Sequence, residues 1–371
     1  MPSLLDRLLG PPRDALRERW IRVLSDPRFQ RWAARFPLTR PVARRRASAL
    51  FDLCAGFVYS QVLHACVRLQ LLETLRDGAL PSATVATRID LPLDATERLL
   101  DAAAALGLVE RRPGDRWGLG IHGASYVGNP AVAAMVQHHV LLYQDLADPV
   151  ALLRRPRGDS ALGRFWRYGD DEAGAPYSAL MARSLALLAE DVLEAHPVAR
   201  HRALLDVGGG SGAFVAAVAR RAPDLAITLF DLPAVAAQAR RRLGEAEATA
   251  NVRVVAGDVF CDPLPRGADL VTLVRVLHDH DDADARRILG AVRDALPAGG
   301  TLLVAEPMRD APDRERMGAA YFGLYLWAMG QGRARTPREL RAMLTDAGFR
   351  RVRMSRTRRP LLTSVVVAEA G

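Results

Sequence analysis

The run Ala203-Leu-Leu-Asp-Val-Gly-Gly-Gly-Ser-Gly-Ala-Phe214 constrains this chain more than any other stretch. Ala203, Leu204, Leu205 and Val207 read as a strand buried on both faces, with Asp206 near its end. Gly208, Gly209, Gly210 and Gly212 break the strand, and Ala213–Arg221 resumes at once with a helical pattern. Strand, glycine turn and helix in succession form the opening unit of a nucleotide-binding α/β domain. Glycine permits the sharp reversal and lets a ligand approach the backbone without a Cβ in the way.

The rest of the C-terminal half extends that unit into a sheet. Leu225–Pro233, Val252–Asp258, Asp269–Val276 and Gly299–Glu306 read as four further strands, with a helix over Ala283–Leu296 before the last. Gly348–Arg356 and Leu361–Ala368 read as two closing antiparallel strands. Ligands of open parallel sheets sit at the carboxyl ends of the strands. Asp206, Asp231, Asp258, His278 and Glu306 all fall there, a gathering of polar groups that core packing does not explain. Asp231 follows Gly208 by 23 residues, near the roughly 20-residue offset at which an acid meets a ribose diol. The loop spacing is Asp-x-Gly-x-Gly-x-Gly, not the Gly-x-Gly-x-x-Gly of a dinucleotide fold. That difference points to S-adenosylmethionine (SAM).

A chain of 371 residues suggests two domains. The net charge of +9 is unevenly placed: residues 1–46 hold 12 arginines against Asp6, Asp14, Glu18 and Asp26. Trp20, Phe29, Trp32 and Phe36 interleave with those arginines. Three readings of this basic arm stand open: a solvated helical extension, an arm attracted to an anionic membrane surface, and a nucleic-acid contact. No uninterrupted apolar stretch of about 18 residues is present, so no membrane span is expected. Three cysteines without ligand spacing suit reduced thiols in a cytoplasmic protein, and no metal site is expected.

Between the arm and the sheet, Val85–Ile89 and Thr96–Leu106 read as paired helices. Gly107–Leu119 reads as a hairpin with a Pro-Gly-Asp turn, together a winged-helix pattern. The candidate recognition helix carries Asp94, Glu97 and Asp101 against Arg98, the wrong charge for phosphate contact. No nucleic-acid partner is expected. A helix over Leu50–Leu75, apolar on most sides, suits a dimer interface. The chain thus divides into a basic arm at 1–46, a winged-helix-like dimerisation domain at 47–130, a helical connector at 131–200 and a SAM-binding catalytic domain at 201–371.

Leu204–Gly212, Phe230–Val235, Gly257–Phe260, Val276–Asp279 and Val304–Glu306 resemble, in order and spacing, the motifs of the plant-type small-molecule O-methyltransferases. The resemblance covers roughly residues 47–371. It implies a class I SAM-methyltransferase fold, Rossmann-like with a mostly parallel seven-stranded sheet, behind a winged-helix dimerisation domain, and a homodimer. It implies further that the Gly208 to Gly212 loop, Gly208 and Gly210 included, contacts the methionyl part of SAM. Asp231 would bind the ribose, Asp258 the adenine amine and Val259 the ring. Arg275, at a usual lysine position, would touch the cofactor. His278 would be the base that takes the hydroxyl proton, oriented by Glu306.

The arm and the run Phe51–Gln61 add a narrower resemblance, to the carotenoid O-methyltransferases of purple phototrophic bacteria. Those enzymes methylate the tertiary hydroxyl of hydroxyneurosporene or demethylspheroidene, in spheroidene-type carotenoid biosynthesis. The implied partner is an apolar small molecule, with peripheral contact to an anionic inner or photosynthetic membrane. Phenolic or polyketide O-methylation, bacteriochlorophyll C-methylation and a winged-helix regulator with a vestigial SAM domain are the competing readings.

Two departures from the family pattern carry expectations. His280 replaces the tryptophan after His-Asp and is expected at the surface or behind the site. Ala334 stands where the family has a second glutamate, so a single carboxylate is expected to hold His278. The acceptor pocket is expected from Phe165, Trp166, Tyr177, Met181, Met308, Tyr321, Phe322, Tyr325 and Trp327.

Overall fold

The computed structural model describes residues 14–165, 188–244, 249, 251–309, 316–355, 357 and 363–371. Trp166, Tyr177 and Met181 lie outside them. The chain clusters into two compact units, Met1–Gly128 and Asn129–Gly371.

The N-terminal unit opens with α1 (Asp14–Ser25), α2 (Pro27–Arg35) and α3 (Arg40–Arg68). Asp26 caps α2, its carboxylate accepting from the Arg28 N–H at 2.7 Å, and Pro27 occupies the first helical position. α3 starts ten residues before the expected Leu50, because the Arg44–Arg46 run is itself a good helix former. It stops near Gln70, whose left-handed backbone (φ 53°) splits off the short turn Leu71–Thr74. α3 is long and apolar enough to cross a membrane by length and composition, although no span was expected. Asp52, Gln61 and His64 interrupt its apolar run. Leu50, Phe51, Leu53 and Phe57 are 64–73% exposed, an uncovered apolar face.

Helices Ser82–Ile89 and Leu93–Ala105 precede the wing, β2 (Val109–Arg112) and β3 (Arg116–Leu119) around Pro113-Gly-Asp115. A two-residue strand, β1 (Leu80–Pro81), pairs with β3 and is too short for any sequence period to reveal. Trp117 of β3 is buried and donates from Nε1 to the Ser82 hydroxyl at 3.0 Å, tying wing to helix.

In the C-terminal unit the sheet is β4 (Ala203–Val207), β5 (Ala226–Asp231), β6 (Val252–Ala256), β7 (Leu270–Val274), β8 (Thr301–Glu306), β9 (Phe349–Ser355) and β10 (Ser364–Ala370). Its order is β6-β5-β4-β7-β8-β10-β9, and β10 alone runs opposite to the other six strands. The chain starts at β4, steps outward to β6, then returns to β7 on the other side of β4. The carboxyl ends of β4 and β7 are therefore the topological switch point, where such sheets open a crevice.

Alternation along the strands decides which helices cover which face. Leu205, Val207, Val271 and Val304 pack against Ile288, Leu289 and Val292 of helix Asp282–Ala295 and against helix Pro337–Asp346. Leu204, Leu270, Leu303 and Ala305 pack against Phe214, Val215 and Val218 of helix Ala213–Arg221. Each such aliphatic side chain contributes about 1.5–3 kcal/mol of burial. The stiff sheet this produces fixes the crevice floor.

Candidate active site

The crevice has a volume of about 260 Å³, and Gly208, Gly210, Asp231, Asp258, Val259 and Arg275 all line it. Gly208 sits at φ 71°, where a Cβ would meet Val276 at 2.8 Å. Its N–H donates to the Phe230 carbonyl at 2.9 Å, carrying the β4–β5 pairing one step past the strand. The Gly210 N–H donates to Asp231 Oδ2 and the Leu232 N–H to Oδ1, each at 2.7 Å. Burial raises the Asp231 carboxyl against those two donors, to about 6. Asp258 Oδ1 accepts from the Phe260 N–H at 2.9 Å, which turns the chain after β6.

Below the loop lies Asp206, 1% exposed. Thr272 donates to its Oδ1 at 2.6 Å, while Oδ2 is buried with no hydrogen-bond partner. Burial pushes this carboxyl up to about 7 in spite of the Thr272 hydroxyl, and the nearby Asp231 charge adds to the rise. Half-buried Asp231 on the lining, with buried Asp206 beneath it, beside the apolar walls of Val235, Val259 and Phe260, suits a ligand with a cationic end, a diol and a flat ring. SAM has all three. The part of Asp206 in this electrostatics was missed from the sequence, because an acid inside a strand gives no sign of which way it faces.

The other side of the crevice is a tight turn, Leu277–Asp279, directly after β7. Arg275, one residue past β7, holds a left-handed backbone at φ 58°, a strained state of the kind concentrated at functional sites. His278 is 4% exposed, and its Nδ1 is hydrogen-bonded to Glu306 Oε2. Glu306 also accepts from the Val276, Leu277 and His278 N–H groups, at 3.0, 2.7 and 3.3 Å. One carboxylate at the end of β8 thus sets both the turn and the imidazole tautomer.

His278 Nε2 lies 3.0 Å from Asp279 Oδ1. Burial alone would lower the histidine pKa, but Asp279 and Glu306 outweigh it and raise it above its ordinary value. As expected, Glu306 is the one carboxylate hydrogen-bonded to the ring; Asp279, its own neighbour in the chain, adds a second charge beside Nε2 without a hydrogen bond. Ala334 is buried and packs with Phe322 and Tyr325 instead. The expectation for His280 is corrected. It lines the crevice, edge-on to Phe260 at 5.5 Å, and burial lowers its pKa.

Among the expected acceptor residues, Phe165, Tyr321, Phe322, Tyr325 and Trp327 gather in one cluster, with Phe322 edge-on to His278 at 6.2 Å. Met308 packs in the sheet core instead. Sequence reasoning missed His138 and His139 of helix Pro130–Asp145, whose Nε2 atoms pair with the Tyr325 and Tyr321 hydroxyls at 2.7 and 2.8 Å. They cap the polar ends of those rings.

This sheet order, with acids and a glycine loop at its switch point, defines a class I SAM-dependent methyltransferase. Residues 143–350 match the O-methyltransferase domain and residues 51–135 the O-methyltransferase dimerisation domain. The chain belongs to that O-methyltransferase family and is a SAM-dependent enzyme. It is 42% identical over 355 residues to the demethylspheroidene O-methyltransferase of Cereibacter sphaeroides, covering 94% of this chain and 93% of the relative. Identity to the demethylspheroidene O-methyltransferase of Rhodobacter capsulatus is also 42%, over 94% of this chain and 89% of the relative. The fold superposes on the crystal structure of human N-acetylserotonin methyltransferase in complex with SAM with a TM-score of 0.73 at 26% identity, covering 88% and 98% of the two chains. The dimerisation domain supports a homodimer, and the exposed apolar face of α3 is a surface that such an interface can cover.

Proposed function

We propose that this enzyme methylates the tertiary hydroxyl of an acyclic hydroxycarotenoid of the demethylspheroidene type. The observation that carries this reading is the 42% identity, over nearly the whole length, to two demethylspheroidene O-methyltransferases. Consistent with it, the expected acceptor side chains beside His278 are aromatic.

When bound, SAM supplies the electrophilic methyl group on its sulfonium. Gly208 and Gly210 would hold its methionyl part, Asp231 the ribose hydroxyls, Asp258 and Val259 the adenine, with Arg275 at the crevice edge. A tertiary alcohol is far less acidic than a phenol near pH 10, so its proton leaves with or after methyl transfer. Glu306 keeps the Nδ1 proton, which leaves the Nε2 lone pair to take the proton of the acceptor oxygen. Asp279, 3.0 Å from Nε2 without a hydrogen bond to it, yields that edge to the acceptor, and the two carboxylates stabilise the imidazolium that results. The aromatic wall keeps water from the oxygen, and positioning supplies much of the rate.

The finer partner is an anionic membrane, contacted through the arm. Trp20, Phe29, Trp32 and Phe36 form a ladder of rings with centroids 6.3, 5.6 and 5.1 Å apart. Trp20 and Trp32 are half exposed, and Arg28, Arg31 and Arg35 flank the ladder on α2. No acid occurs between Pro27 and Phe51. Aromatic rings at headgroup depth with guanidinium groups on phosphates form an interfacial anchor, each cation worth about 1 kcal/mol at an anionic surface. That anchor would hold the enzyme at the cytoplasmic face of the membrane in which a carotenoid dissolves.

The test supplies purified enzyme with labelled SAM and detergent-dispersed hydroxycarotenoids beside a phenolic panel. Turnover of the carotenoid, lost in His278→Ala, is expected; turnover of phenols alone sinks the acceptor assignment. Cosedimentation with phosphatidylglycerol vesicles is expected to be lost in Trp32→Ala and in 0.5 M salt. Binding that ignores both changes removes the anchor.

A further inference from the structure

Glu306 grips the N–H side of the catalytic turn, and a second side chain grips the carbonyl side. Arg335 is 4% exposed. Its Nη1 donates to the Leu277 carbonyl at 2.6 Å, and its Nη2 to the His280 carbonyl at 2.8 Å. Those two carbonyls bracket His278 and Asp279. Nε and Nη2 also reach Asp282 Oδ1, at 3.1 and 2.9 Å. Asp282 is held in turn by Arg333, which pairs with Glu339 at 2.9 Å. Glu339 completes a capping box with Thr336 at the start of helix Pro337–Asp346. A continuous chain of charge-assisted bonds thus runs from a packed helix to the catalytic turn.

The same segment docks closely enough to exclude side chains. Gly332 has φ 79°, and a Cβ there would stand 2.1 Å from the His278 carbonyl oxygen. Its N–H donates to Asp281 at 3.1 Å, and Arg157 bridges Asp281 and the Gly332 carbonyl. Five backbone groups of the turn are thus held from outside, three N–H groups by Glu306 and two carbonyls by Arg335, beside the turn's own internal hydrogen bonds.

We propose that Arg335 is a positioning residue: its guanidinium, forked between the Leu277 and His280 carbonyls, holds His278 in register with Glu306. This rests on the role of His278 given above. A planar fork with five donors is suited to the task, whereas lysine brings equal charge without the fork. The charged groups around the ring are Asp279, Glu306 and Arg275, with His280 interacting with His278 from the end of the turn and Arg335 itself interacting with Glu306.

The experiment compares Arg335→Lys and Arg335→Gln in the full chain loaded with S-adenosylhomocysteine. Nitrogen-15 NMR reads the His278 titration, and steady-state kinetics reads turnover. If Arg335 positions the ring, both variants lower the His278 pKa toward 6.5, because the Nδ1–Glu306 bond slackens. Both also lower kcat by about tenfold or more while the KM for SAM moves less than about threefold. If the charge alone mattered, Arg335→Gln would raise the pKa, and Arg335→Lys would leave it unchanged. That outcome, or unchanged kcat in both, overturns the proposal. Should Arg335→Gln fail to fold, Arg335→Lys decides alone, since it keeps the charge and removes the fork: a lowered pKa supports the proposal and an unchanged one overturns it. Absence of carotenoid turnover by the unmodified enzyme would sink the proposed acceptor but leave the titration result readable.

Discussion

The two sides of the crevice are built differently. On the cofactor side, the loop is tied within the β4–β5 unit, Gly210 to Asp231 across 21 residues and Leu232 to the adjacent Asp231, with the buried Asp206–Thr272 bond, across 66, the exception. On the catalytic side, His278 is tied to Glu306 across 28 residues, and the carbonyl of Leu277 to Arg335 across 58. The first side uses backbone N–H groups to aim acids. The second uses one buried acid and a buried arginine to hold a backbone turn. A site read through local motifs shows its binding half well and its chemical half incompletely, because catalysis depends on orientation supplied from distant elements.

That contrast can be broken by substitution. His278→Ala should lower kcat by about 10²- to 10⁴-fold and leave SAM affinity nearly intact, as read by methyl transfer and calorimetry. A parallel loss of SAM affinity would mean that the two sides are not separable. Glu306→Gln should cost about 10- to 100-fold in kcat, by loosening the turn and by removing a charge that steadies the imidazolium. It should also move the acidic limb of the pH–rate profile downward, since Glu306 helps raise the His278 pKa. A limb that stays in place would show that Asp279 alone sets it. Asp231→Asn should weaken S-adenosylhomocysteine binding by about tenfold, or 1.4 kcal/mol, with kcat at saturation little changed.

The smallest effect concerns pH and the ligand-free protein. The Asp206 and Asp231 carboxyls sit at about 7 and 6 when folded, above the usual carboxylate value of about 3.9 when unfolded. The folded state therefore holds protons that the unfolded chain has lost, and their contribution to stability declines as pH rises from about 4 to 7. His278, also raised, contributes stability that is full below its unfolded value and is lost as pH rises through its folded one. All three act in one direction, whereas His138 and His196, held down at about 4 by burial, gain stability over the same range. The raised acid is therefore read as a difference: the urea midpoint of ligand-free Asp206→Asn should fall less, or climb more, with rising pH than that of the unmodified protein. An identical pH dependence in the two would contradict the raised value of Asp206.

Much of this was legible in residues whose meaning is local. The glycine run announced its own turn, and helix Ala213–Arg221 ended where expected. The strand ends placed Asp231, Asp258 and Glu306 on one edge. His280 was misjudged because a polar residue after a motif looks exposed until Phe260 is seen beside it. Met308 was misjudged because a methionine serves core and pocket equally well. Ala334 suggested a missing carboxylate, yet Asp279 adds a second charge from the adjacent position. The two His–Tyr pairs link residues more than 180 positions apart, beyond any spacing rule.

By itself, the sequence determined the α/β class, the strand-end edge where ligands of such sheets sit, the cofactor and the candidate histidine, because each follows from short-range backbone preference and from acids placed at strand ends. Only the tertiary structure decided what surrounds that histidine. The two carboxylates beside the ring, the arginine at the turn's carbonyls and the aromatic wall beside it come together when the packed sheet brings β7, β8 and the 330–336 segment to one edge. The physical reason is that hydrogen-bond geometry acts over about 3 Å in space, whereas the periodicity that a sequence displays ends with the element that carries it.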